Sequence, residues 1–103
     1  MKSKYLGEFE MVVLGAVLKL GDGAYGAAIR QEIELGSERS VSIGALYTTL
    51  TRLEAKGYVG SRLGESTPQR GGRAKRYFRV TDAGEAQLRR SFAALNRMLE
   101  GVL

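Results

Sequence analysis

The chain's chemistry-bearing residues crowd into one stretch, Arg70–Val80, which reads Arg-Gly-Gly-Arg-Ala-Lys-Arg-Tyr-Phe-Arg-Val. Five of the sixteen basic side chains fall in these eleven positions. Two glycines open it and an alternating aromatic and basic run closes it. Guanidinium and ammonium groups at this density attract a polyanion, and aromatic neighbours are common where that polyanion is nucleic acid. The stretch reads as the tip and return strand of a β-hairpin that touches nucleic acid. Catalysis has little to work with here. Histidine and cysteine are both absent, which removes disulfides, thiolate chemistry, the usual transition-metal ligands and the commonest general base at neutral pH. The carboxylates are scattered over helix surfaces. The chain reads as a non-enzyme that needs no cofactor and no metal.

Net charge sharpens the point once it is placed along the chain. Arg52–Arg79 holds eight basic and two acidic residues, a net of +6, while the other positions hold eight basic and nine acidic, a net of −1. One contiguous segment therefore carries the whole positive excess, as a polyanion-binding face would. At 103 residues the chain is one folding unit, large enough to bury roughly 60–68% of its unfolded surface around a small core. The longest apolar run, Met11–Leu18, contains Gly15 and is too short to span a bilayer. No apolar core with a cleavage site follows the basic start. A soluble, cytoplasmic protein with no membrane partner is expected.

The elements that must position this segment follow from hydrophobic spacing. Leu6–Leu20 predicts a helix with Phe9, Val12, Val13, Ala16, Val17 and Leu20 on one face and Met11, Leu14 and Leu18 on a second. A helix apolar on two faces lies between two layers, one of which a partner chain can supply. A second helix is expected from about Ala24 to Leu35, ended by Gly36, with Ser37–Ser40 as a polar loop.

The third helix has the best-marked ends. Ser42 is its N-cap, Val41 and Leu46 form a hydrophobic staple, and Gly57 follows Lys56 as a C′ glycine with Tyr58 packing back on Leu53. Ile43, Leu46, Tyr47, Leu50 and Leu53 form its apolar stripe. The opposite face carries Gly44, Ala45, Thr48, Thr49, Thr51, Arg52 and Lys56. Three threonines lower helix propensity. Short side chains on that face let the backbone approach another surface closely.

Tyr58–Glu65 and Lys75–Val80 read as two strands around a loop of about eight to ten residues, longer than a plain hairpin connection needs. Tyr77 and Phe78 point to opposite faces, so one of them is core. Thr81 caps a last helix in which Leu88, Phe92, Leu95, Leu99 and Val102 step by 4, 3, 4 and 3, a heptad seam. That seam packs onto the chain's own first helix or onto a second copy. A shared interface using both helices is preferred, because the first helix also has apolar surface to spare. The order of helix, helix, helix, hairpin and helix is a mainly α fold with a small β-hairpin (α+β). It is a winged helix-turn-helix with a C-terminal dimerisation helix. Residues 1–81 form the winged-helix DNA-binding domain and 82–103 the dimerisation helix.

Leu6–Glu10, Ala24-Tyr-Gly26, Ser42–Glu54, Lys56–Val59, Gly71–Phe78 and Thr81–Gly84 together resemble the PadR family of transcriptional regulators. The short C-terminal part resembles its short-tailed subgroup. The resemblance implies a winged-helix homodimer that binds double-stranded operator DNA at a pseudo-palindromic site, usually as a repressor. A small-molecule effector of unknown identity is compatible with it. The third helix would present Ser42, Ala45, Thr48 and Thr49 to base edges or nearby phosphates, with Arg52 and Lys56 on phosphates at its far end. Arg70, Gly72, Arg73, Lys75 and Arg76 would be the wing contacts, with Gly71 beside them. Spacing leaves Tyr47 open between a core role and a phosphate contact, and the resemblance favours the phosphate. Phe9, Val13, Leu88, Phe92, Leu95, Leu99 and Val102 are the expected dimerisation residues. An effector cleft would be lined by Phe9, Val13, Phe92 and Leu95. The competing function is a winged-helix protein-interaction module without specific DNA binding, since fold does not set function.

Overall fold

The computed structural model describes residues 4–64 and 74–103. In chain order these form α1 (Glu8–Leu20), a 3₁₀ turn (Gly21–Gly23), α2 (Gly26–Ser37), α3 (Ile43–Ala55), β1 (Val59–Leu63), β2 (Arg76–Val80) and α4 (Asp82–Leu99). The mainly α winged helix-turn-helix expected from the pattern is present. Four helices accompany a two-stranded antiparallel hairpin whose register pairs Val59 with Val80, Ser61 with Phe78 and Leu63 with Arg76.

The core gathers one stripe from every layer: Val13, Leu14 and Val17 of α1, Ile29 and Ile33 of α2, Leu46, Leu50 and Leu53 of α3, and Val59 and Phe78 of the hairpin. Phe78 is buried while Tyr77 lies half-buried on the other strand face, as the alternation requires.

Local chemistry sets the ends of the elements. The Ser42 hydroxyl accepts from the Ala45 amide at the start of α3, which satisfies one of the free donors of the first turn. At the other end Gly57 has φ of 81°. The Gly57 amide donates to Glu54 and the Tyr58 amide to Leu53, a Schellman closure that satisfies two terminal carbonyls. Thr81 then joins three elements. Its hydroxyl donates to the Gly57 carbonyl and accepts from the Gly84 amide, and its own amide donates to Tyr58.

The boundaries of α1 and α2 differ from expectation. α1 begins at Glu8 because residues 4–7 run as a strap across α4. The Leu6 amide donates to the Ser91 hydroxyl and the Gln87 side-chain amide to the Lys4 carbonyl. α2 begins at Gly26 because Ala24 and Tyr25 serve the hairpin: the Phe78 amide donates to the Ala24 carbonyl, and Tyr25 bridges Tyr77. Gly36 does not end α2; the helix runs to Ser37, and Glu38 takes the left-handed capping conformation at φ of 56°.

α4 turns its residues opposite to an ordinary amphipathic helix. Its inward residues are Gly84, Gln87 and Ser91. Its apolar seam faces outward: Phe92 is 62%, Leu95 46% and Leu99 40% exposed. α4 ends at Leu99, so Val102 falls beyond the helix. Among the described residues no helix is long and apolar enough to cross a membrane.

Candidate nucleic-acid interface

The outward face of α3 is built from small groups. Ser42, Gly44, Ala45, Thr48 and Thr51 are exposed, together with Arg52 and with Ile43, which at 42% exposure leaves the expected apolar stripe. No acidic residue occurs in its first turn, and the first carboxylate along the helix is Glu54. The helix thus offers its N-terminal half, with the positive end of its dipole, to any anionic surface.

Thr49 corrects the expected face. It is only 5% exposed, because it lies three residues from Leu46 and four from Leu53 and so shares their inner side. Counting it with Thr48 placed it one position too far round the helix.

Tyr47 sits at the border of core and surface. It is 39% exposed. Its ring meets Phe78 edge-on and lies against Gly26, the first residue of α2. The missing Cβ of Gly26 makes the seat for this ring. Tyr47 is thus packed on one side, its ring on Phe78 and its hydroxyl end against buried Gly26, and open to solvent on another.

The far end of α3 behaves differently from its start. Lys56 forms an ion pair with Glu10 of α1 at 3.3 Å, and Glu10 also accepts from the Gly7 amide. Lys56 is thus partly neutralised within the chain. Arg52 shares a groove of about 520 Å³ with Lys4, Tyr5, Glu10, Lys56 and Tyr58, away from the Ser42 end.

On the hairpin, Lys75 and Arg76 are exposed at the foot of β2. Arg76 donates to the Ser61 hydroxyl, which donates to Glu54. Lys75 stands over the Tyr25 ring at 4.1 Å, and Arg62 over the Tyr77 ring at 4.8 Å. Arg62 belongs to the basic segment Arg52–Arg79 but was not among the expected contacts. Its position directly across from Tyr77 in the register was the available signal. Arg70, Gly72 and Arg73, expected as wing contacts, and Gly71 lie outside the described residues.

The apolar surface lies elsewhere. A groove of about 470 Å³ runs between α1 and α4, lined chiefly by Met11, Val12, Gly15, Leu18, Leu88 and Phe92. This corrects the expectation for α1. Val13 is fully buried in its own chain's core, and Phe9 packs half-buried against that core. Neither Val13 nor Phe9 lines the groove between α1 and α4. On the α1 side the groove is lined by Glu8, Met11, Val12, Gly15 and Leu18, of which Met11 and Val12 are, like Phe9, half-buried against the core.

Comparison with known proteins agrees with this arrangement. A family model described as the transcriptional regulator PadR-like family matches residues 13–90. A transcriptional regulator of Mycobacterium tuberculosis is 42% identical over 81 residues, covering 77% of this chain and 69% of that protein. A PadR family transcriptional regulator from Eggerthella lenta superposes with a TM-score of 0.75 at 26% identity, covering 91% of this chain and 77% of that one. Bacillus subtilis PadR, solved in complex with operator DNA, shares the fold with a TM-score of 0.69 at 23% identity, covering 82% of this chain and 46% of that one. With its sequence matched over most of its length and its winged fold shared, the chain belongs to the PadR-like family of transcriptional regulators.

Proposed function

We propose that this chain is a homodimeric repressor that binds a pseudo-palindromic operator, with α3 in the major groove and the hairpin on the flanking phosphates. The observation that carries the reading is the outward face of α3. It is small, hydroxyl-bearing and free of carboxylates from Ser42 to Leu53. Such a helix docks closely on DNA, with Ser42, Ala45 and Thr48 near base edges. The Tyr47 hydroxyl, Lys75 and Arg76 contact phosphates, joined by Arg70 and Arg73 of the wing. The operator complex of Bacillus subtilis PadR supports this use of the shared fold.

The dimer rests on α4. A helix that points Gln87 and Ser91 inward and Phe92, Leu95 and Leu99 outward leaves an apolar side of the kind that marks an interaction surface. A second copy covers it through Leu88, Phe92, Leu95 and Leu99, together with Met11, Val12 and Leu18 of α1. Residues 1–81 act as the DNA-binding unit and 82–103 as the dimerisation segment. Repression follows from occupation of a promoter.

The test is a mobility shift at moderate salt with bulk competitor DNA, followed by transcription in vitro from a promoter carrying the bound sequence. Retention of one sequence against competitor, with reduced transcript, is the expected result. Loss of the complex to any competitor would favour a protein-binding module instead.

A further inference from the structure

The foot of the hairpin holds four side chains in a row: Lys75, Tyr25, Tyr77 and Arg62. The Lys75 ammonium lies 4.1 Å from the Tyr25 ring centre, the two tyrosine rings meet edge-on at 5.7 Å and 73°, and the Arg62 guanidinium lies 4.8 Å from the Tyr77 ring centre. The backbone under them is fixed. Tyr25 bridges Tyr77, the Phe78 amide donates to Ala24, and the Gly64 amide donates to the Lys75 carbonyl at 2.7 Å. Gly64 leaves room for this, since a Cβ there would lie 2.7 Å from the Tyr77 ring. Neither Lys75 nor Arg62 has a carboxylate partner among the described residues.

The chemistry of the two ways to hold a cation differs. A carboxylate positions a cation but cancels its charge toward other ligands. A ring face restricts the cation's rotamers and leaves its charge and N–H donors available. Lys56, paired with Glu10, is an example of the first kind. Lys75 and Arg62 are examples of the second.

We propose that Tyr25 and Tyr77 are positioning residues that hold Lys75 and Arg62, uncancelled, as phosphate contacts at the foot of the wing. The inference deepens the DNA-binding reading and rests on it. Arg62 thereby joins the interface, and the start of α2 contributes to affinity through Tyr25 without itself touching DNA. Ordering the cations before contact removes part of the entropy that binding would otherwise spend.

The test is a pair of double-mutant cycles on the full chain, read as affinity for a duplex the protein has selected and as the salt slope of that affinity. Lys75→Gln and Arg62→Gln are each expected to lower the slope by about one unit. Tyr25→Leu is expected to weaken binding about three- to fivefold with the slope unchanged. In the Lys75→Gln background the same change should cost less than about twofold. Tyr77→Leu should behave likewise toward Arg62→Gln. Tyr25→Phe keeps the ring and should bind as the unmodified protein does. Equal losses from Tyr25→Leu in both backgrounds would overturn the positioning role while leaving DNA binding in place, as would a Tyr25→Phe variant as weak as Tyr25→Leu. The Arg62 cycle changes Tyr77 and not Tyr25, so it stands where Tyr25→Leu harms folding, and thermal unfolding of each variant identifies any that does not fold. Absence of duplex binding by the unmodified protein would overturn the DNA reading and this inference together.

Discussion

The ring of Tyr47 in α3 meets the ring of Phe78 in β2 edge-on, with centroids 6.2 Å apart and planes inclined at 63°. Phe78 belongs to the core, and Tyr47 reaches the surface. The contact therefore ties α3 to β2 of the hairpin. Edge-to-face packing of this kind adds about 0.5–1.5 kcal/mol beyond simple burial.

The seat of Tyr47 is testable at Gly26. A Cβ there would lie 2.8 Å from the Tyr47 Cζ. The atoms a Cβ would meet, the Tyr47 hydroxyl first among them, are the far end of a side chain and not backbone, so Gly26→Ala should displace Tyr47 rather than break α2. The expected stability loss is about 1 kcal/mol by urea denaturation. The expected loss of DNA affinity is larger, about fivefold or more by fluorescence anisotropy. Unchanged affinity would show that the position of Tyr47 does not matter to binding.

Gly84 presents the harder case. It is buried in the first turn of α4, and a Cβ there would come within 2.9 Å of the Tyr58 carbonyl carbon and 3.0 Å of its Cα. Those atoms are backbone, held by the Thr81 amide and the Schellman closure, and cannot swing aside. Gly84→Ala should cost roughly 2 kcal/mol, or about 8–16 °C in Tm by thermal unfolding. A shift of only a degree or two would mean α4 tilts freely on the hairpin.

Glu38 offers a gain. It sits in the left-handed region with φ of 56°, where a side chain is strained and glycine is not. Glu38→Gly should raise stability by about 0.5–1 kcal/mol, seen as a rise of a few degrees in Tm. A fall would indicate that the carboxylate itself contributes to the cap.

Two neighbouring threonines separate surface from core. Thr48 is exposed and Thr49 is buried. Thr48→Ala should relax the preferred base at one operator position by about 1 kcal/mol, measured by competition among single-base variants of the site. Thr49→Val should leave that preference unchanged and alter only stability. Altered base preference in the Thr49 variant would contradict the observed burial.

Much of this was legible in the residues themselves. The α3 ends were readable because Ser42 and Gly57 are chemically marked for capping and for positive φ. The hairpin was readable from its period-two pattern and the α4 seam from its steps of 4 and 3. What was hidden depended on contacts between distant segments. Tyr25 looked like an ordinary helix residue until its bridge to Tyr77 was seen. Gln87 and Ser91 gave no signal, because polar residues on the inner side of a helix become informative only when their partners, Lys4 and Leu6, are in place. Val13 and Thr49 were misassigned for a shared reason. On a helix apolar or small on several sides, spacing alone does not say which stripe the rest of the fold covers.

In the proposed dimer two copies of α3, held by paired α4 helices, read a two-fold DNA site. Selection of bound duplexes from a random pool tests it most directly. Enrichment of a pseudo-palindrome is expected, with half-sites about 10 base pairs apart, centre to centre, matching recognition helices about 34–36 Å apart. A pool with no enriched sequence, bound only in proportion to low salt, would contradict it.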